Sequence, residues 1–457
     1  MSKNFVFTGP DARFMLLAAL VLAVPFDAGA VPSFSRQTGM SCNQCHTLHG
    51  GPVPNFTMTG KKFRAYGYRV PSIKDSLQSG EPGAQGERLN LLNDFFSVRY
   101  QSEVYSKTKS PGAPSFGEST TNPTSRLAGF YAGPIGDNMG LWTEMYFIPT
   151  GSANQEWSLG LASFEEFDLR WVFNPDNPTT SFGMSLTNQS VNEIAGFGPF
   201  PVNIGGGFAG RAGINGWAHP NYANVLFTGW VNDRHAFNIG LNTGDTNPGW
   251  DRYNWVGAYS YAFLNTNAHE LWLNTAFRVG KDVLPLTSMA IVATGARDFS
   301  YVDRIGGVAA TRAGVSPPAY QAADIHEAKS YMAEVRWSRQ DYGPHSFEAI
   351  IRYTTNNEDY SDGGRTKLSS VGGILRYGWR HTWYFGPYWR TDNYKFSDRL
   401  GVDHPVDSNP DVGVWFGYKP YENVLLNLQV GRTERLQLDL PPVTGGRIYS
   451  LTLDFLY

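Results

Sequence analysis

The sequence predicts an all-β barrel that crosses a membrane, and three observations predict it. Of the 457 residues 14% are aromatic and 17% charged, yet no apolar run reaches the ~18 residues of a transmembrane helix. Short segments alternate instead, one face apolar and the other carrying charge, with turn residues between them. The last segment, from Ile448, puts Tyr449, Leu451, Leu453, Phe455 and Tyr457 on one apolar face that ends in an aromatic residue. A soluble β-sandwich or propeller would alternate in a similar way around a buried face. Arginines on the polar faces, and aromatics near strand ends such as Trp379, Trp383, Tyr384, Phe385, Tyr388 and Trp389, favour the barrel.

From the start of the chain, Lys3 and Arg13 precede an apolar run from Phe14 to Phe26, and Ala28-Gly29-Ala30 offers a small-residue cleavage site. The run is shorter than the ~20 residues that span a bilayer core, so residues 1–30 are expected to be an export signal, with the mature chain beginning near Val31. Next comes Ser41-Cys42-Asn43-Gln44-Cys45-His46, which holds the two cysteines of the chain as C-x-x-C-H. That spacing attaches a c-type haem: Cys42 and Cys45 supply the thioethers, and His46 is placed as the proximal ligand of the haem iron. Zinc would need two more ligands at matching spacing, and a thioredoxin-like site would need a βαβ unit. Neither is visible; a structural disulfide remains the alternative.

The segment from Val31 to residue 74 is too short for a large core of its own, so it is expected to act as a plug against the barrel, with the haem supplying part of the burial. Thr59 is expected to cap a short helix that runs through Tyr66 and ends at Gly67. Phe63 and Tyr66 would cover a porphyrin or pack on the wall. Lys61, Lys62 and Arg64 read as a solvated basic face in preference to partners of haem propionates. The candidate distal ligand is Met58, twelve residues after His46, where a thioether would raise the reduction potential. His49 stands too close to His46 to reach the other haem face easily, and water or a barrel side chain is the alternative.

Residues 75–88 are rich in Gly, Ser and Gln and are read as a linker, and residues 89–457 as one continuous barrel, because a sheet in lipid must close on itself. Leu92, Phe96, Val98 and Tyr100 oppose Ser97 and Arg99; Leu271, Leu273 and Phe277 oppose Asn274 and Arg278. The same dyad sets Tyr331, Ala333, Val335 and Trp337 against Glu334, Arg336 and Ser338, and Phe347, Ala349, Ile351 and Tyr353 against Glu348 and Arg352. Val424, Leu426, Leu428 and Val430 oppose Asn423, Asn427 and Gln429. Residues 110–114, 174–178 and 356–359 carry turn chemistry, and 205–207 are three glycines. The formal net charge of -3 excludes a strongly basic nucleic-acid binder.

The run from Pro32 to His46, followed by Thr59-Gly60-Lys61-Lys62-Phe63-Arg64-Ala65-Tyr66-Gly67-Tyr68, resembles the amino-terminal cytochrome of the outer-membrane mono-haem cytochrome-porin fusions of iron-oxidising bacteria. The resemblance is specific over that segment and architectural over the barrel. It implies about sixteen antiparallel strands, one haem c, and residence in the bacterial outer membrane. It also implies ferrous iron oxidation by electron transfer, from extracellular Fe(II) or another small one-electron donor to a periplasmic cytochrome or copper protein. The loop from His49 to Asn55 departs from the shorter aromatic-proline connection of that family. The rival readings are a passive porin whose haem is a plug or redox gate, and a haem enzyme or gas sensor with an open sixth position.

Overall fold

A computed structural model describes residues 33–47, 56–70, 95–109, 120–146, 164–189, 191–195, 224–243, 253–266, 269–280, 325–340, 344–360, 365–397, 403–406, 411–421, 424–435 and 443–456. The expected export signal, the linker, His49, Leu92, Asn423, Tyr457 and the loops 110–114 and 205–207 lie outside them.

The wall is built from β1 (Phe96–Lys109), β2 (Thr120–Ile135), β3 (Met139–Tyr146), β4 (Phe164–Val172), β5 (Thr180–Thr187), β6 (Asn224–Val231), β7 (His235–Thr243), β8 (Tyr253–Asn265) and β9 (His269–Gly280). It continues through β10 (Ile325–Gln340), β11 (His345–Tyr360), β12 (Arg365–Trp379), β13 (Trp383–Ser397), β14 (Asp403–Val406), β15 (Asp411–Tyr421), β16 (Val424–Arg435) and β17 (Val443–Leu456). All pairings are antiparallel, and β17 returns to β1 in a register running from Arg99↔Leu456 to Lys109↔Arg447, so the sheet closes. Two of these seventeen strands, β14 and β15, lie one after the other along β13, opposite its residues 394–397 and 383–390, and therefore share one place. Among the described residues that leaves sixteen staves.

The side-chain period of two decides which way each residue faces. Tyr331, Val335 and Ile351 are 44%, 49% and 59% exposed, while Glu334, Arg336 and Glu348 between them are 1% exposed. Leu428 and Val430 face outward with Asn427 and Gln429 inside; Ser97, Arg99, Asn274 and Arg278 are likewise inside. A soluble sandwich would show the opposite arrangement. Apolar side chains on the outer surface of a closed sheet, with charge within, fit a wall whose solvent is lipid.

Two expectations about the wall need correction. Residues 356–359 are not a turn but the end of β11, paired with β10 through Glu327↔Asp359 and with β12 through Asp359↔Arg365. A barrel strand can run past the apolar belt, and there polar residues suit both faces. Of the aromatics taken together as a girdle, Trp379, Trp383, Phe385 and Trp389 are exposed, but strand alternation turns Tyr384 and Tyr388 inward. The turn at Asn174 is present, closed by Asn177 N–H to the Asn174 carbonyl at 3.2 Å.

One end of the barrel has tight connections, such as residues 136–138, 232–234 and 380–382, while at the other end successive strands are separated by long stretches of sequence, β9 ending at Gly280 and β10 beginning at Ile325. Among the described residues three helices precede the wall: α1 (Ser33–Thr38), α2 (Cys42–Cys45) and α3 (Met58–Ala65). A fourth, α4 (Val191–Ile194), comes from the β5–β6 connection. It folds inside the barrel, where Val191 and Ile194 cluster with Leu226, Val256, Ala276 and Met332.

Candidate functional site at the tight-turn mouth

The C-x-x-C pair occupies the single turn of α2, so its two positions are three residues apart on one helical face. His46 follows at once and forms a β-bridge with Phe56, the two rings 4.8 Å apart. The return strand docks on α2 through Thr57 N–H to the Cys45 carbonyl at 3.0 Å and Thr57 Oγ1 to the Gln44 carbonyl at 2.6 Å. A Cβ at position 60 would overlap the Cys45 carbonyl oxygen, so only glycine lets α3 close on the cysteine turn.

Thr57, not Thr59, caps α3: its hydroxyl accepts from Gly60 N–H at 3.2 Å. The cap falls two residues early because the β-bridge at Phe56 ends the extended chain there. Gly67, at φ +70°, does follow the helix. Its first N–H, on Met58, donates to both carboxylate oxygens of Glu270 at 3.0 and 3.1 Å, an acid at a helix N-terminus.

The expected solvated basic face is contradicted. Lys61 and Arg64 are buried, since α3 lies inside the barrel and each cation meets the wall. The Lys61 ammonium sits 3.6 Å from the centroid of the Trp272 ring, Lys62 pairs with Asp233 at 2.9 Å, and Arg64 Nε stands 3.6 Å from Asp168. Burial first, and Arg336 second, push the Lys61 ammonium well below its ordinary value, with Glu270 and Glu334 pulling it back. Asp168 is the centre of the clasp: it accepts from Arg170 Nε at 2.8 Å, from Ser185 Oγ at 2.5 Å and from the Tyr68 hydroxyl. Burial, with Asp168 next, pushes the Tyr68 phenol far up.

Tyr66 packs with Trp230, Ala236, Ala262 and Trp272, and its hydroxyl donates to the Asn177 carbonyl at 2.5 Å. Phe63 packs edge-on against Phe34 at 4.8 Å. Of the two readings for these rings, Tyr66 takes wall packing. The half-buried Met58 side chain packs on the same Tyr66–Trp272 cluster. Further ties run from Ser33 N–H to Ser97 Oγ at 2.8 Å, from Gln37 to the Ala132 carbonyl at 2.8 Å, and from Arg69 to the carbonyls of Gly136, Asp137 and Met139. Thr47, the residue after His46, donates to Glu348 at 2.8 Å.

These contacts reach β1 to β4, β6 to β9 and β11, and they lie on the inner wall near the tight turns or on those turns themselves. The structure therefore brings Cys45, His46 and Thr47 together at one mouth of the lumen and sets Met58 into the wall beside them. Asp168, Arg170 and Glu270 were not singled out from sequence, although Asp168-Leu169-Arg170 carries opposite charges two apart, which puts them on one face of a strand. Cys45 and His46 are half-buried with the Phe56 ring against the imidazole, and a thiol followed by an imidazole are the donor types that a covalently held haem would need.

No protein-family model and no curated protein matches the chain. Among solved structures, it is similar to in-vitro folded OmpT of Vibrio cholerae, with TM-score 0.49, 10% identity, and 79% of this chain and 96% of that chain covered. Salmonella typhi OmpF in complex with daunomycin gives TM-score 0.47 and 10% identity over 79% of this chain and 97% of that one. The outer membrane channel DcaP of Acinetobacter baumannii gives 0.44 and 14% over 79% and 96%. At such identities the likeness concerns the barrel fold alone.

Proposed function

We propose that this chain is an outer-membrane electron-transfer protein in which Cys42 and Cys45 hold one haem c and His46 is its proximal ligand. A haem bound there supplies one-electron storage. The observation that carries the reading is the seating of the C-x-x-C-H turn inside the tight-turn mouth, clamped by Thr57, Gly60, Thr47 and Glu348. In outer-membrane barrels tight turns face the periplasm and long connections the outside. Fe(II), or another small one-electron donor, then enters from the long-connection side through the polar lumen, and a periplasmic cytochrome or copper protein docks at the mouth.

The chain's own residues have definable parts in this. Phe56 lies against the His46 ring and fixes its tilt, and Glu348 holds the backbone behind it through Thr47. Asp168, with Arg64, Arg170 and Tyr68, stops the segment from leaving the mouth. Met58 as distal ligand would have to leave the Trp272 cluster, so its packing supports water at that place, and carbon monoxide binding to the reduced protein distinguishes the two.

The test is to produce the chain with cytochrome maturation machinery and follow the haem bands on adding Fe(II). Rapid reduction is expected; bands that stay oxidised while an organic reductant bleaches them would remove iron as donor. The second reading, a passive porin with a haem plug or redox gate, draws on the barrel itself, whose sixteen staves enclose a polar lumen. It expects steady conductance across planar bilayers, which a seated segment opposes.

A further inference from the structure

Lys61, Lys62 and Arg64 already have partners, which leaves open where an acidic group near His46 would be met. The inner wall beside Thr47 answers this. Glu348 on β11 stands in register with Arg376 on β12; one of its carboxylate oxygens takes the Thr47 hydroxyl at 2.8 Å and the other takes Arg376 Nη2. Arg376 is 2% exposed, and its Nε and Nη1 find no acceptor among the described residues. On β13 the neighbouring place is Gly386, where a Cβ would press on Arg376 Cγ at 3.1 Å, so the guanidinium stem lies in the space a larger residue would fill. Gly386 is in register with Trp415 on β15, which is fully buried and whose indole N–H is also without an acceptor among the described residues.

Three buried donors, two of them on a cation, thus line one level of the lumen. The nearby acids are committed: Glu348 through both oxygens, and Glu334 to Arg336 at 2.7 Å and Arg352 at 2.5 Å. Leaving charged donors buried and unsatisfied is costly, and a planar guanidinium fork matches a carboxylate. We propose that Arg376 and Trp415 form a carboxylate-binding site on the lumen wall, one residue contact away from the His46–Thr47 turn, and that in the haem-bearing chain a haem propionate fills it. The propionate assignment rests on the haem reading above; a free carboxylate entering through the lumen is the other source of the same chemistry.

Two arms separate them. In a haem-free full chain carrying Cys42→Ser and Cys45→Ser, acetate is titrated while the part of the tryptophan fluorescence that is lost in Trp415→Phe is followed. Saturable binding is expected, weakened at least tenfold by Arg376→Gln and partly restored by Arg376→Lys. In the haem-loaded chain acetate should not bind, and Arg376→Gln should lower the midpoint potential and shift the infrared carboxylate band seen on reduction, because a cation beside the propionate is gone. Acetate binding equally to both forms supports the carboxylate site and overturns the propionate assignment. If the haem-free chain with Arg376 intact binds no acetate, and haem-loaded Arg376→Gln shows no band shift, both at native heat-modifiable mobility, the proposal is overturned. Absence of a pyridine haemochrome would end the haem reading alone, since the first arm still decides on Arg376.

Discussion

At the scale of single residues, buried charge does the holding. Asp168 carries two arginines and two hydroxyls without being exposed at all, and removing one partner of such a buried group costs about 3–5 kcal/mol. Asp168→Asn is therefore expected to release residues 33–70 to added protease at lower urea than wild type; an unchanged cleavage profile would show that the clasp holds nothing. Tyr66 gives a pH dependence. Burial, with Asp233 next, pushes its phenol up to about 12 from the ordinary 10.0, so its contribution to docking is complete below the unfolded value and is lost as pH rises through about 12. Lys61 acts oppositely, since its lowered value makes docking more favourable as pH rises toward 10.5. Segment release between those two tyrosine values is expected to be shallower in Tyr66→Phe, read by protease access across the pH series. The C-x-x-C-H motif was legible in sequence because its chemistry is local. Asp168 and Glu270 were not, because their importance comes from partners about a hundred residues or more away.

At the scale of elements, period-two alternation located the strands, and it did so without showing which face lay inside. Apolar and charged faces look alike in sequence whether the barrel is bathed in water or lipid, and only exposure separates Val335 from Arg336. The consequence is testable: Val335→Arg places a charge on the outer face at a cost of ~2–4 kcal/mol near the bilayer midplane, whereas Ser338→Arg enters the lumen. Refolding into lipid vesicles, read by heat-modifiable mobility, should fail or slow for the first only. Equal refolding of both would contradict the assigned faces. The helix α3 was expected from Thr59 and begins at Met58 with Thr57 as cap, since the β-bridge at Phe56, invisible to local propensity, sets the entry angle.

For the whole molecule, closure of the wall and seating of the amino-terminal segment are one arrangement: the polar lumen supplies partners that a segment this short cannot make for itself. The closed antiparallel wall was legible as alternation, while the choice of mouth was not readable from sequence, because it depends on where Glu270, Glu348 and Asp168 stand along their strands. Deleting residues 31–70 is expected to raise single-channel conductance severalfold or more over the full chain, and equal conductance would mean that the segment does not occlude the mouth.

The most direct measurement uses vesicles that hold an oxidised soluble cytochrome inside and carry the haem-loaded chain in one orientation, long connections outward, with Fe(II) added outside. The enclosed cytochrome is expected to be reduced by the intact chain and not by Cys42→Ser with Cys45→Ser. Reduction at the same rate in both, or in neither while the haem itself takes electrons from dithionite, would contradict electron transfer through the mouth.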